Sequence, residues 1–354
     1  MWCCLLVTLA LAWGVAPARA ELTATNFGLR IEYPIPNKAL HVVIQAPGQL
    51  WFTAPEANAV GKLTVLSGPN DPLVTYTISY VLLDPGSEPF GLVYHDDAVW
   101  FTQRGANKLG RIDVNSQALT EYAIPTPNSE PMGIARAPDG TLWFTQRGAN
   151  QLGRFDPTTQ TFQAYPLPGN LFTTTEPRLR EILVKNNNEI WFTAPGAGAV
   201  GNYRVDTDQF FAVYTLGQAR PMDLVLDSSG RLWTTQFEQN ALAAYAPGTL
   251  SLWTPYPVTT PNSGPVGILF RNNGATWDFW FTENQSGLAG RLTIRPNGQF
   301  VKLQEFPLGQ GSAPWDIVMD SNNHVWITDQ GRNVIIELRP PYLNAIYMPW
   351  IARQ

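Results

Sequence analysis

One four-residue string constrains this chain more than any other feature. Leu50-Trp51-Phe52-Thr53 returns as Val99-Trp100-Phe101-Thr102, Leu142-Trp143-Phe144-Thr145 and Ile190-Trp191-Phe192-Thr193. It returns again as Leu232-Trp233-Thr234-Thr235, Phe279-Trp280-Phe281-Thr282 and Val325-Trp326-Ile327-Thr328. The tryptophans recur about every 42 to 49 residues, the length of a four-stranded propeller blade. Thirty prolines and 29 glycines in 354 residues suit short strands joined by tight turns and are too many for a helical protein.

Each unit reads strand, turn, strand, turn, strand, loop, strand. In the third, Pro131-Met132-Gly133-Ile134 is the innermost strand, Leu142 to Thr145 the second, Leu152 to Asp156 the third and Phe162 to Leu167 the outer one. The outer-strand pattern also occurs ahead of the first repeat, as Glu32-Tyr33-Pro34-Ile35-Pro36, while the last repeat, ending at Val334 to Leu338, has none behind it. Pairing the two removes the free edges of an open array. The expected fold is all-β: a seven-bladed β-propeller of four-stranded antiparallel blades, closed by an N-terminal strand that completes the last blade. It occupies residues 21–340.

Residues 1–20 read as a signal peptide: an apolar run from Trp2 to Val15 ends in the small-x-small pattern Ala18-Arg19-Ala20. Both cysteines, Cys3 and Cys4, lie in that leader, so a chain cut after Ala20 has no disulfide and no cysteine metal site. No later segment reaches transmembrane length, and the expected location is secreted, periplasmic or on the exterior of the cell envelope. A formal charge of −5 argues against a nucleic-acid partner. A monomer is expected. Residues 341–354 form a C-terminal tail outside the repeat, apolar at Tyr347-Met348-Pro349-Trp350-Ile351.

The succession Glu-Pro-x-Gly-Ile, Pro-Asp-Gly, Leu-Trp-Phe-Thr and Asn-x-Leu-Gly-Arg resembles the repeat of the streptogramin B (virginiamycin B) lyase family over nearly all of residues 21–340. That resemblance implies a Mg²⁺-dependent carbon–oxygen lyase that linearises a cyclic depsipeptide, with a histidine taking a proton and carboxylates holding the metal. In the family the histidines occupy the x of Pro-x-Gly-Ile at the central channel. One metal-binding Glu lies two residues earlier, and another follows the Trp-Phe pair.

Carried over position by position, x is Phe90, Met132, Arg180, Met222, Val266 and Trp315 in blades two to seven, and His41 is assigned to it in blade one. The late blades therefore lack the base, and His41 is the one candidate for it; His95 and His324 fall in turns and are expected to face solvent. Glu88 and Glu130 stand two residues before x, but Gln103 and Gln146 follow their Trp motifs. Glu283 follows its own Trp motif, but Gly264 stands upstream. Glu88, Glu130 and Glu283 are the candidate metal ligands, for Mg²⁺ by resemblance.

Phe90, Met132, Arg180, Met222 and Trp315 are the candidate ligand-binding channel residues, and the apolar ring Phe90, Met132, Met222, Val266 and Trp315 suits a hydrophobic peptide or aromatic ligand, or simply plugs the hole. Arg178, Arg180 and Arg220 form either an anion site or ion pairs. Two functions stay open at this point. One is an exported propeller that binds a small or peptide ligand at its channel. The other is a lyase whose base has moved to His41. A lactone-hydrolysing metal propeller is a third and weaker reading, because no Glu/Asn/Asn/Asp set can be placed.

Overall fold

The computed structural model of the chain describes residues 17–25, 28–67, 74–214, 219–246 and 253–339. Seven antiparallel sheets follow one another. Their first strands, Val42–Ala46, Pro89–His95, Pro131–Arg136, Ile182–Asn186, Pro221–Leu226, Pro265–Asn272 and Pro314–Met319, touch in succession and return from the seventh to the first. They form the wall of a central channel. Blade seven takes its fourth strand from the start of the chain. Gly28–Pro34 lies against Val334–Arg339, with Tyr33 opposite Ile335 and Glu32 opposite Ile336.

Blades one and seven each carry a fifth strand. Glu21–Thr25 pairs outside Gly28–Pro34. Ala18–Arg19 pairs outside Thr75–Leu82, and the next residue, Ala20, is buried against Ile31 and Val74. The last residues of the expected leader are thus strand-paired, and a cut after Ala20 would remove that outermost strand. Residues 1–16 of the leader and 340–354, which include the tail, lie outside the described residues. Among the described residues no helix is long and apolar enough to cross a membrane.

The repeated string lies on the second strand of each blade, and its alternation explains its residues. The Trp side chain faces the next blade. Trp51 packs with Leu92, Val99 and Phe101, Trp143 with Ile182, Ile190 and Phe192, and Trp326 with Val42, Leu50 and Phe52 around the closure. Burying one such ring is worth about 2–3 kcal/mol, so the seven tryptophans form the principal cement between blades.

The Phe faces the opposite way, across its own third strand. Phe52, Phe101, Phe144, Phe192 and Phe281 are registered with Gly61, Gly110, Gly153, Gly201 and Gly290. A Cβ on any of these glycines would run into the ring. Where the Phe is lost, the Gly is lost too: Thr234 faces Ala243, and Ile327 faces Ile336.

Candidate functional site

The threonine that ends each string builds the inner ring. Its hydroxyl donates to the backbone carbonyl of the first strand of the next blade: Thr53 to Phe90, Thr102 to Met132, Thr145 to Arg180 and Thr193 to Met222. Thr235 donates to Val266, Thr282 to Trp315, and Thr328 to Leu40. All seven are fully buried. Six of the seven hydroxyls also accept the N–H of the residue after x in their own blade, from His41, Gly91, Glu181, Asp223, Gly267 and Asp316.

This register corrects the reading of blade one. Leu40, not His41, holds the x position, and His41 stands where the repeat has Gly. The spacing carried the signal. Met132, Arg180, Met222 and Trp315 each lie eleven residues before their tryptophan, as Leu40 does before Trp51. The same register shows what the sequence reading missed. In blades four, five and seven the Gly is replaced by Glu181, Asp223 and Asp316, which read in the sequence as decayed copies of the motif.

These side chains meet in the channel. Asp316 Oδ2 lies 3.2 Å from His41 Nδ1 and accepts the Val42 N–H at 2.9 Å, tying blade seven to blade one. Its other oxygen accepts the Ile317 N–H. On the far side His41 Nε2 is 3.5 Å from Glu181 Oε1, which also lies 3.4 Å from Arg180 Nε. Burial alone would pull the His41 pKa down. The Glu181 charge and the hydrogen bond and charge of Asp316 outweigh it, and the pKa is raised. Burial works against the Asp316 charge, yet His41 and the two backbone N–H groups hold its pKa down.

Asp223 goes the other way. Burial, then the charges of Glu181 and Asp316, push its pKa up to about 8, although the N–H groups of Ile268 and Leu224 donate to it. A third negative charge in so small a space is disfavoured.

The residues at x form the apolar part of the channel. Leu40, Phe90 and Met132 pack together with Trp315. Arg180 lies over Phe90 at 5.5 Å and over Trp315 at 4.7 Å. Four of the five residues expected to line the channel are thus brought into one contact set. Met222, also buried, is not part of that cluster.

The candidate metal ligands are not gathered. Glu88 is bound through two nitrogens of Arg104, and Glu130 is 3.9 Å from Arg147. The four line a hollow of about 510 Å³ between blades two and three. Both Glu88 and Glu130 have left-handed backbones, with φ of 46° and 45°. Glu283 is fully buried in blade six, where burial and then the Glu305 charge push its pKa up to about 7. Among the described residues no three His, Cys, Asp or Glu side chains are placed to share a metal ion. Glu88 is engaged by Arg104 and burial disfavours the Glu283 anion, so among the described residues these three carboxylates do not come together as one Mg²⁺ site.

The other cations pair locally: Arg178 lies 3.4 Å from Glu176 and Arg220 lies 3.1 Å from Glu238. These two pairs line one hollow together, whereas Arg180 lies over the rings of Phe90 and Trp315. His324, expected to face solvent, is buried beside Glu337 at 2.7 Å. His95 is partly buried next to Asp96.

The profile of the virginiamycin B lyase family matches residues 22–245 and 180–342. A virginiamycin B lyase of Nocardia farcinica (strain IFM 10152) is 25% identical over 253 residues, 71% of this chain and 64% of that relative. The match thus spans just under two thirds of the relative's length. A solved streptogramin B lyase superposes with a TM-score of 0.74 at 24% identity, covering 91% of this chain and 98% of the other. A catalytically inactive histidine-to-alanine variant of virginiamycin B lyase from Staphylococcus aureus, solved with quinupristin, gives 0.72 at 24% identity over 88% and 99%. These two structures speak to the fold alone. With the family profile covering both halves of the ring, the chain belongs to the virginiamycin B lyase family.

Proposed function

We propose that this protein binds a small or peptide ligand at the mouth of its central channel and does not carry out lyase chemistry in the family's manner. The observation behind this reading is the state of His41. A general base needs an available lone pair near neutral pH. Here both ring nitrogens face carboxylates, Asp316 and Glu181, which occupy them and, outweighing burial, raise the pKa. Glu88 and Glu130, the acids named for a metal, are paired with arginines.

A second reading has one observation in its favour. Asp316 at Nδ1 orients the His41 ring as a carboxylate orients a catalytic histidine. The protein is then a lyase with its base at the Gly position of blade one, and any Mg²⁺ is held by residues other than Glu88, Glu130 and Glu283.

The deciding experiment incubates the protein with a cyclic streptogramin B and Mg²⁺, with and without EDTA, beside His41→Ala. Saturable binding without turnover is expected. An EDTA-sensitive, linearised, dehydrated product that vanishes in His41→Ala overturns the binding reading and supports the second. We also read the protein as exported, on the apolar run and the Ala18-Arg19-Ala20 pattern. N-terminal sequencing of protein recovered outside the cell tests this, and an intact Met1 on intracellular protein overturns it.

A further inference from the structure

Within that binding reading, on which this inference rests, we propose that Arg180 is the residue that selects the ligand, and that the ligand part it docks is an uncharged peptide carbonyl rather than a carboxylate. Arg180 is nearly buried, its side chain 13% exposed, yet among the described residues its guanidinium makes no hydrogen bond. Its Nε lies 3.4 Å from Glu181 without hydrogen-bond geometry. The rings of Phe90 and Trp315 hold it, so its position is fixed by stacking while its donors remain unused. The Trp315 indole N–H beside it is likewise buried and without an acceptor. Buried donors without acceptors are costly, and two of them side by side are what a site completed by a bound acceptor would show.

The charges around the fork decide which acceptor. Arg180 and His41 already face two carboxylates, Glu181 and Asp316, and a third, Asp223, lies close enough for their charges and its burial to push its pKa up. A ligand carboxylate would add a further negative charge beside Glu181. An amide or ester oxygen accepts from the same donors and adds none. Trp315, partly buried against Phe90 and Met132, supplies the apolar surface for a side chain next to that carbonyl.

The test uses a matched pair of probes: a cyclic streptogramin B, and the linear acid made from it by alkaline hydrolysis of its ester, which opens the ring to a hydroxyl and a carboxylate. Titration calorimetry with the full protein compares wild type, Arg180→Met, Arg180→Lys and Trp315→Phe. Wild type is expected to prefer the cyclic form. Arg180→Met should weaken that form by about 10- to 100-fold, the size of a hydrogen bond from a charged donor. Arg180→Lys should recover only part of the loss, because a point charge lacks the stacked fork. A thermal melt of each variant checks folding, and the cyclic-to-linear preference is a ratio that a loss of folded protein does not alter. If the cyclic form binds and Trp315→Phe weakens it while Arg180→Met does not, or if the linear acid binds more tightly, the Arg180 assignment falls and the channel reading stands. If neither form binds to wild type, both fall.

Discussion

The inner ring has two kinds of blade. In blades two, three and six the residue after x is Gly91, Gly133 or Gly267, and the next blade's backbone presses against it. A Cβ would come within 2.7 Å of the Met132 carbonyl, 2.7 Å of the Arg180 carbonyl and 2.8 Å of the Trp315 carbonyl, respectively. In blades one, four, five and seven that residue is His41, Glu181, Asp223 or Asp316. The threonine bonds to x are the same on both sides. The ring's backbone latch is therefore independent of the channel's chemistry, and a glycine can become a charged residue wherever neighbouring charges can satisfy it. The glycine blades close the ring by contact, and the polar blades close it by charge.

The sharpest way to break that contrast is to remove the anchor of the polar side. Asp316→Ala leaves the His41 ring beside Glu181 alone and strips acceptors from the Val42 and Ile317 N–H groups. A loss of about 3–5 kcal/mol is expected from chemical denaturation, as for a buried pair cut on one side. The NMR titration of His41 should also shift down, because burial still opposes its charge. Unchanged stability would mean that the polar blades do not depend on their charges.

On the other side Gly133→Ala should cost about 1–3 kcal/mol, since the two atoms nearest its Cβ are backbone atoms of Arg180 and Glu181, which cannot swing aside. A neutral result would show that blades three and four can separate freely.

The smallest effect is a slope. Asp223 has its folded pKa pushed up to about 8, against 3.8 for an ordinary carboxyl. Between those values the unfolded chain ionises while the folded one keeps its proton, so stability falls as pH rises through this window and levels off above 8. His41 acts in the same direction: its raised pKa contributes stability below 6.5 that is lost as pH rises through the folded value. Asp223→Asn cannot ionise, but it offers only one acceptor to the Ile268 and Leu224 N–H groups, at a roughly constant cost of about 1–3 kcal/mol. Thermal melts should place the variant below wild type at pH 5, with the gap narrowing towards pH 8. A gap that stays constant with pH would show that Asp223 is ionised throughout.

The sequence by itself determined the propeller. Seven Trp strings at blade spacing, a stray outer strand at the front and a missing one at the back leave few other ways to bury the apolar face of each strand, because strand alternation and edge pairing are local rules that every repeat obeys. It also named His41 and the channel positions Phe90, Met132, Arg180 and Trp315. The one-residue shift in blade one was within reach of the tryptophan spacing, since Leu40 lies eleven residues before Trp51 as Met132 lies before Trp143. Only the tertiary structure decided the site. Leu-Arg-Glu-Ile, Pro-Met-Asp-Leu and Pro-Trp-Asp-Ile look like worn copies of a motif, and nothing local marks Glu181 and Asp316 as neighbours of a histidine up to 275 residues away, or Asp223 as a neighbour of those two acids. Charge pairing across a ring depends on distance through space, and closing the seventh blade onto the first sets that distance.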